Sequence, residues 1–468
     1  MNNNDLLVLG AGPGGYAAAF LAADLGMKVT LVDADPKPGG VCLHRGCIPS
    51  KALLHIAKLI NETREAKAWG LDFGEPEIDL EKLKFWKNDV VEKMTGGLMT
   101  LAKQRGVTLI QGHGAFRDSN TLAVSGKEKI VFDRCILATG SRPVIPEIFS
   151  SLGPAMMDST SALALNEIPQ KLLVVGGGYI GLEMGTVYAA LGSQVTVVEM
   201  TSGLLPGIDR DLVRPLQARL KKAFADIFLD TKVISAKESP SGVAVILESS
   251  TGKTEATYDR ILVSVGRQPN SDRIGLENTK VKMDGRGFVQ IDDQQKTADP
   301  AIFAIGDVVG GAMLAHKASA EAHVAVEVLA GQPAKFDHRA IPAVVFTDPE
   351  IAWCGLTEAE AKEKGQGIRI AKFPWGASGR AQTLGRPDGS TKLILDPDSD
   401  KILGVGIVGS GAGELIAEAV LAVEMGAVAE DLAFSIHPHP TLSETLKEAA
   451  DAHLGKSPHL YKKPGSRK

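Results

Sequence analysis

Cys42 and Cys47 stand five residues apart in the stretch GGVCLHRGCIPSK (residues 39–51), and they are half of the four cysteines in a chain of 468 residues. Two thiols this close can close a disulfide, cycle as a dithiol redox pair or ligate a metal. No second Cys or His pair at zinc spacing lies nearby, so no metal site is expected. A regular helix separates Cα atoms five residues apart by roughly 8–9 Å, whereas a disulfide needs about 4.4–6.8 Å. If the thiols bond, the backbone between them must leave the helix. Gly39, Gly40 and Gly46 permit that, and Pro49 suits the opening of a following helix. A strained, accessible disulfide is comparatively easy to reduce, as a working redox pair should be. Cys135, inside an apolar strand, and Cys354, in IAWCGL, lack such a neighbour and read as packing residues.

The thiolate is the reactive form of a cysteine, so thiol chemistry needs a base. Ten histidines are present, and two stand two apart among prolines in SIHPHPTLSETL (435–446). Rigid flanking prolines suit a positioned acid/base group, with His439 as base and Glu444 as its orienting carboxylate. Thr441 and Glu444 also fit a capping box, in which Glu444 only closes a helix start. Spacing alone leaves both readings open.

Two strand–loop–helix–strand units must position this chemistry. The first runs from LLVLG through GAGPGG, with Gly10, Gly12 and Gly15, to a strand ending in Asp33, 23 residues after Gly10. The second, KLLVVGGGYIGLEMG, carries Gly176, Gly178 and Gly181 and ends its next strand in Glu199, again 23 residues after the first glycine. Glycines let the backbone approach a pyrophosphate, the helix N-terminus faces its charge, and the acid takes a ribose hydroxyl. Two such units predict two dinucleotides. Each has a matching later strand, DRCILATGSRP (133–143) and DRILVSVGRQP (259–269). The span from first loop glycine to the later glycine is 130 residues in one copy and 90 in the other. The first copy therefore carries about 40 extra residues, and the cysteine pair and a polar helical stretch near 50–105 fall within that copy. After Glu199 no Arg or Lys appears until Arg210, a pattern that favours NAD over NADP. A further strand, AIFAIGD, ends in Asp307.

Length implies about three domains. A net charge of −5 without a long basic run gives no reason to expect nucleic acid. The basic tail KKPGSRK (462–468) reads as a solvated terminus. No apolar stretch spans a membrane, and MNNNDLLVLGAG lacks the features of a signal peptide. A soluble, cytoplasmic protein is expected.

The motifs GAGPGGY, GGVCLHRGCIPSK, VVGGGYIGLEMG, ILVSVGRQPN, IFAIGDVVGG…MLAHKA, FTDPEIAWCGLTE and HPHPTLSE occur in that order over nearly the whole chain. Together they resemble the flavoprotein disulfide reductases, the class-I pyridine nucleotide-disulfide oxidoreductases. CIPSK and Glu199 point to the NAD-linked members that oxidise dihydrolipoyl groups. The chain differs from the usual HAHPT at Pro438 and has His44 at a common Asn position. The resemblance implies an α/β fold of two Rossmann-like FAD- and NAD(P)-binding domains plus a C-terminal α+β dimerisation domain. The expected boundaries are 1–143 for FAD, 144–270 for NAD, 271–340 for a central domain completing the FAD site, and 341–468 for the interface.

It further implies FAD held by Gly10, Gly12, Gly15, Asp33, Lys51, Gly114, Asp307 and Ala315. NAD would be held by Gly176, Gly178, Gly181, Glu199, Val233 and Gly266. Cys42 would meet the dithiol, Cys47 would face the flavin, and Lys51 would lie near the flavin's reactive nitrogen, paired with Glu183. His439 and Glu444 would reach the thiols of the other subunit of a homodimer. The implied partner is a lipoyl-bearing acyltransferase or carrier protein of a 2-oxo acid dehydrogenase or glycine cleavage complex. Competing expectations are a related reductase with another disulfide substrate and a redox-silent scaffold, the latter disfavoured by the intact thiol pair and His439.

Overall fold

A computed structural model of the chain describes residues 4–126 and 129–461, and the basic tail at 462–468 lies outside them. The apolar run of the first motif forms a strand buried on both faces, as a parallel sheet covered by helices requires. Asn4–Leu9 pairs in parallel with Val29–Asp33 and with Ile130–Leu137, and Thr108–Gln111 extends the sheet past Val29–Asp33. Helix α1 (Pro13–Asp24) joins the first two strands and begins on Pro13, where a missing N–H costs nothing. Before returning to the sheet, the chain makes α2 (Gly40–Arg45), α3 (Cys47–Glu65) and α4 (Leu80–Gln104).

The second motif repeats the plan. After α5 (Ser159–Ala164), Lys171–Val175 leads through α6 (Tyr179–Ala190) to Gln194–Val198, and Asp226–Phe228, Arg260–Val263 and the short Met156–Met157 complete the parallel sheet. Only α7 (Arg210–Ala223) lies where the first copy has α2, α3 and α4. The surplus of the first copy is thus helical, and it carries both thiols. Downstream the chain returns to the first unit: Ile302–Ala304 pairs in parallel with Ile130–Leu137, and α8 (Ala315–Leu329) packs against α1.

The C-terminal region is a five-stranded antiparallel sheet in the order Ala343–Val345, Glu350–Gly355, Ile402–Gly409, Ser390–Leu395, Arg369–Pro374. Helices α9 (Glu358–Glu363), α10 (Gly379–Thr383), α11 (Ala412–Met425), α12 (Ala429–Phe434) and α13 (Glu444–Leu454) accompany it. Lys392, on the fourth of these strands, is 1% exposed. Its ammonium donates to Asp209 at 2.7 Å, Asp211 at 2.9 Å and Glu358 at 2.8 Å, tying the start of α7 to the C-terminal sheet. Leu421, Met425, Phe434 and Ile436 leave an apolar surface on α11, α12 and the segment that follows. Among the described residues no helix is long and apolar enough to cross a membrane.

Candidate active site

A cavity of about 610 Å3 runs from the first glycine loop to both thiols and on to α6. Its floor is the loop between Asn4–Leu9 and α1. Gly10 has φ +105, and a Cβ there would lie 2.2 Å from the Ala138 carbonyl oxygen, so only glycine fits. Gly12 differs: a Cβ there meets nothing within 4 Å, which leaves the amide end of α1 open to a phosphate. The second loop has the same division of labour. Gly176 (φ +107) is closed off by the Ser264 carbonyl at 2.5 Å, whereas Gly178 faces open space.

The terminal acids match as closely. Asp33 accepts from the Ala11 amide at 2.5 Å and from Asp35 at 2.7 Å. Glu199 accepts from the Gly177 amide at 2.7 Å and from Thr201 at 2.8 Å. Each carboxylate is thereby pinned to the residue after its first loop glycine, with lone pairs left for a ribose. Burial pushes the Asp33 carboxyl above its ordinary value, against those amide bonds. Arg210 donates to the carbonyls of Leu204 at 2.7 Å, Leu205 at 2.6 Å and Ile208 at 2.7 Å. Its guanidinium is committed to the loop and is not offered beside Glu199 to a 2′-phosphate. Both cradles fit dinucleotides.

The thiols lie on two helices. Cys42 is within α2, and Cys47 is the first residue of α3. Between them the backbone breaks at Gly46, where a Cβ would meet the Val41 carbonyl at 2.8 Å and the Cys42 Cα at 3.2 Å. The departure from helix required by the spacing is therefore present, and both residues line the cavity as free thiols. A hydrogen bond from Cys42 is the main influence that lowers the Cys47 pKa to about 7, against burial and with help from the Lys51 ammonium. The same hydrogen bond, with burial, pushes Cys42 up. Cys47 is the more acidic thiol of the pair, and its place at the N-terminus of α3 suits a thiolate there.

Lys51, one turn along α3, donates to Glu183 of α6 at 3.0 Å, and both line the cavity. Asp307 lies on the opposite wall, where Ser141 donates to it at 2.5 Å and Arg267 donates to Ser141 at 2.7 Å. Ala315, the first residue of α8, also lines the cavity. Gly15 and Gly114 do not: Gly15 presses on the Gly10 carbonyl, and Gly114 packs against Leu9 and Leu122. Val233 is half-buried on the Lys232–Ser239 strand, and Gly266 (φ +129) accepts from the Val144 amide at 3.0 Å. Tyr179 and Phe346 reach the same cavity, and sequence reasoning singled out neither. Tyr179, directly after the second glycine loop, was open to notice; Phe346 is joined to the site only through the tertiary fold.

His439 Nδ1 lies 2.9 Å from Glu444, and the ring is 75% exposed. Because Nδ1 faces a carboxylate it carries the proton, which leaves Nε2 as the free acceptor. His439 does not line the cavity that holds the thiols of its own chain.

These features define a flavoprotein of the disulfide-reducing type. The family model of the pyridine nucleotide-disulphide oxidoreductases matches residues 4–322, and its dimerisation-domain model matches residues 341–450. The chain belongs to this family. It is 46% identical over 467 residues to a dihydrolipoyl dehydrogenase of Vibrio parahaemolyticus, covering 99% of this chain and 98% of that one. It is 48% identical over 454 residues to the dihydrolipoyl dehydrogenase of Haemophilus influenzae, covering 96% and 95%. Among solved structures, the HOCl-induced flavoprotein disulfide reductase RclA from Escherichia coli superposes with a TM-score of 0.85 at 28% identity, covering 96% of this chain and 99% of that one.

Proposed function

We propose that the chain acts as a dihydrolipoyl dehydrogenase, oxidising protein-bound dihydrolipoyl groups and reducing NAD, in the cytoplasm. The observation that carries this reading is the placement of Cys47, at the head of α3, hydrogen-bonded by Cys42 and set in the wall of the dinucleotide cavity. The dihydrolipoyl dehydrogenase relatives along the whole chain support the substrate class.

In the working cycle Cys42 and Cys47 begin as a disulfide. His439 Nε2 takes a proton from one lipoyl thiol, and the resulting thiolate attacks Cys42 Sγ, releasing Cys47 as thiolate. The second lipoyl thiol, deprotonated in turn, attacks the lipoyl sulfur of that mixed disulfide and expels Cys42. The products are a lipoyl disulfide and a reduced Cys42/Cys47 pair, so two electrons have entered the protein. The hydrogen bond from Cys42 and the Lys51 ammonium hold Cys47 ionised at this stage. FAD, bound in the first cradle, supplies the two-electron carrier between this pair and NAD in the second. Gly10, Gly12, Asp33, Asp307 and Ala315 would orient it, and Glu183 keeps Lys51 in place.

The exposed His439–Glu444 pair acts across a homodimer on the thiols of the partner subunit. The dimerisation-domain match and the apolar surface of α11 and α12 favour this arrangement. The lipoyl group arrives on an acyltransferase or carrier protein of a 2-oxo acid dehydrogenase or glycine cleavage complex. Residues 1–143, 144–270, 271–340 and 341–468 form the FAD, NAD, central and interface domains on this reading, and the pairing of Ile302–Ala304 with the first sheet supports a central segment that completes the FAD unit.

The test is an absorbance spectrum of the purified protein, taken before and after dihydrolipoamide and again after NAD. The expected result is a flavin spectrum that gains a long-wavelength thiolate-to-flavin band and then yields NADH. A flavin that ignores dihydrolipoamide yet is bleached by NADH would assign the protein another disulfide substrate.

A further inference from the structure

Glu183 is 4% exposed and has two partners, only one of which comes from the thiol-bearing helix. Its Oε2 accepts from Lys51 at 3.0 Å, and its Oε1 accepts from the backbone amide of Phe346 at 3.0 Å. Phe346 also meets Lys51 directly, because the Lys51 Nζ sits 4.5 Å from the centroid of its ring. Three groups thus close a triangle: a carboxylate, an ammonium, and an aromatic residue that satisfies the first with its amide and covers the second with its face.

We infer that Phe346 is a positioning residue that holds the Lys51 ammonium on the Cys47 side of the cavity. Phe346 follows the strand Ala343–Val345, which pairs with Glu350–Gly355, and its neighbours Val345 and Thr347 are both buried. The C-terminal sheet therefore fixes where the ring stands. Lysine has a long, flexible stem and one ion pair holds it at a single point; a ring face adds a second point of attraction and excludes water from one side. Glu183 opposes the Cys47 thiolate while Lys51 favours it, so the net field at the sulfur depends on where the ammonium is kept. The other titratable groups around Cys47 are Cys42 on α2, Tyr16 on α1 and Tyr179 on α6, and Phe346 touches the balance through Lys51.

This inference rests on the proposed relay only in setting Cys47 beside the flavin, and its test needs no lipoyl substrate. In holoenzyme carrying Cys42→Ser, Cys47 is the sole thiol of the pair, and the pH midpoint of the thiolate-to-flavin band reports its ionisation. Phe346→Leu keeps the backbone amide and removes the ring. It should raise that midpoint by about half to one pH unit, a threefold to tenfold weakening of the thiolate. Phe346→Trp, which keeps an aromatic face, should restore it. In a Lys51→Met background Phe346→Leu should move the midpoint no further, as a double-mutant cycle requires of a residue acting through Lys51.

An unchanged midpoint in Phe346→Leu, or an equal shift with and without Lys51, would overturn the inference. If the leucine variant loses its flavin, Phe346→Met, closer in length, carries the same comparison. Lost lipoamide turnover in otherwise unmodified protein would strike at the proposed substrate and leave this result standing.

Discussion

Glu444 divides its carboxylate between two partners: Oε1 faces His439 Nδ1 at 2.9 Å, and Oε2 accepts from the Thr441 amide at 2.8 Å. The His439–Glu444 pairing read from HPHPTLSE is thus formed, and the capping box only in part. Glu444 does reach back to a backbone amide, as a capping box asks, but the other half of the box is missing. The Thr441 hydroxyl donates to the Pro438 carbonyl, and α13 begins at Glu444 itself.

Replacing Glu444 with Gln keeps the volume and removes the charge that steadies the imidazolium. Turnover of dihydrolipoamide should fall about 100-fold, with a smaller change in KM, a loss at the lower end of the range ascribed to general acid–base catalysis. Burial alone would raise the Glu444 pKa, but the Thr441 amide and the His439 ring together hold it below the ordinary value of 4.5. A depressed carboxyl contributes above its ordinary pKa and loses its contribution as pH falls through the depressed one. The acid limb of a wild-type rate profile above pH 4.5 should consequently be free of Glu444, which steady-state rates against pH would check.

Cys47, with its pKa lowered to about 7, should show its thiolate band in the reduced enzyme growing as pH rises through that value. Lys51→Met should move the midpoint upward. Cys47→Ser should abolish lipoamide turnover while leaving FAD bound, and normal turnover in that variant would refute the relay.

The two kinds of loop glycine should fail differently. Gly10→Ala drives a Cβ to 2.2 Å from a backbone oxygen at φ +105, so the protein itself should be destabilised. Gly12→Ala meets no protein atom, so the flavin-free protein should keep its melting temperature while flavin affinity drops. Gly178→Ala should likewise fold normally and raise the KM for NAD by about tenfold, equivalent to about 1.4 kcal/mol. Thermal melts of stripped protein, flavin titrations and NAD kinetics separate the three outcomes.

Lys392→Met removes the cation shared by Asp209, Asp211 and Glu358 and leaves the buried Asp209 carboxylate without its ammonium, while Lys372 still serves Asp211, at a cost of about 3 kcal/mol, the lower end for a broken buried pair. Burial would lower the Lys392 pKa, but the hydrogen bonds it donates to Asp209, Glu358 and Asp211 raise it above 10.5. Its contribution is then complete below 10.5 and lost only as pH rises past the elevated value. Asp211 is shifted the other way, below 3.8, because Lys372 and Lys392 outweigh its burial. Its contribution is lost as pH falls through that depressed value. Denaturation of wild type and variant should show a constant gap between about pH 4 and 10 that narrows at both extremes.

Both nucleotide cradles could be read from the sequence, because glycine spacing and a terminal acid encode a local turn whose geometry is fixed by a few consecutive residues. The break between Cys42 and Cys47 was legible for the same reason, since Gly46 lies inside the pair. The helical surplus of the first copy followed from counting residues. What stayed hidden depends on distant segments meeting. Phe346 lies 163 residues from Glu183, Ser141 lies 166 from Asp307, and Lys392 sits in TKLIL, a stretch that looks like any buried strand. Gly114 shows the reverse: resemblance sets it at the flavin, yet it does not line the cavity, and a Cβ there would meet Leu9 and Leu122.

Arg210 has a consequence for how the second cradle distinguishes its ligand. The loop after Glu199 contains a cation at the right remove in sequence, yet its guanidinium is turned inward and spent on three carbonyls of its own loop. An additional phosphate would therefore meet the Glu199 acid with Arg210 already spoken for. Converting the protein to the phosphorylated nucleotide would require importing a new positive group into this rim, because freeing Arg210 would unmake the loop that shapes it.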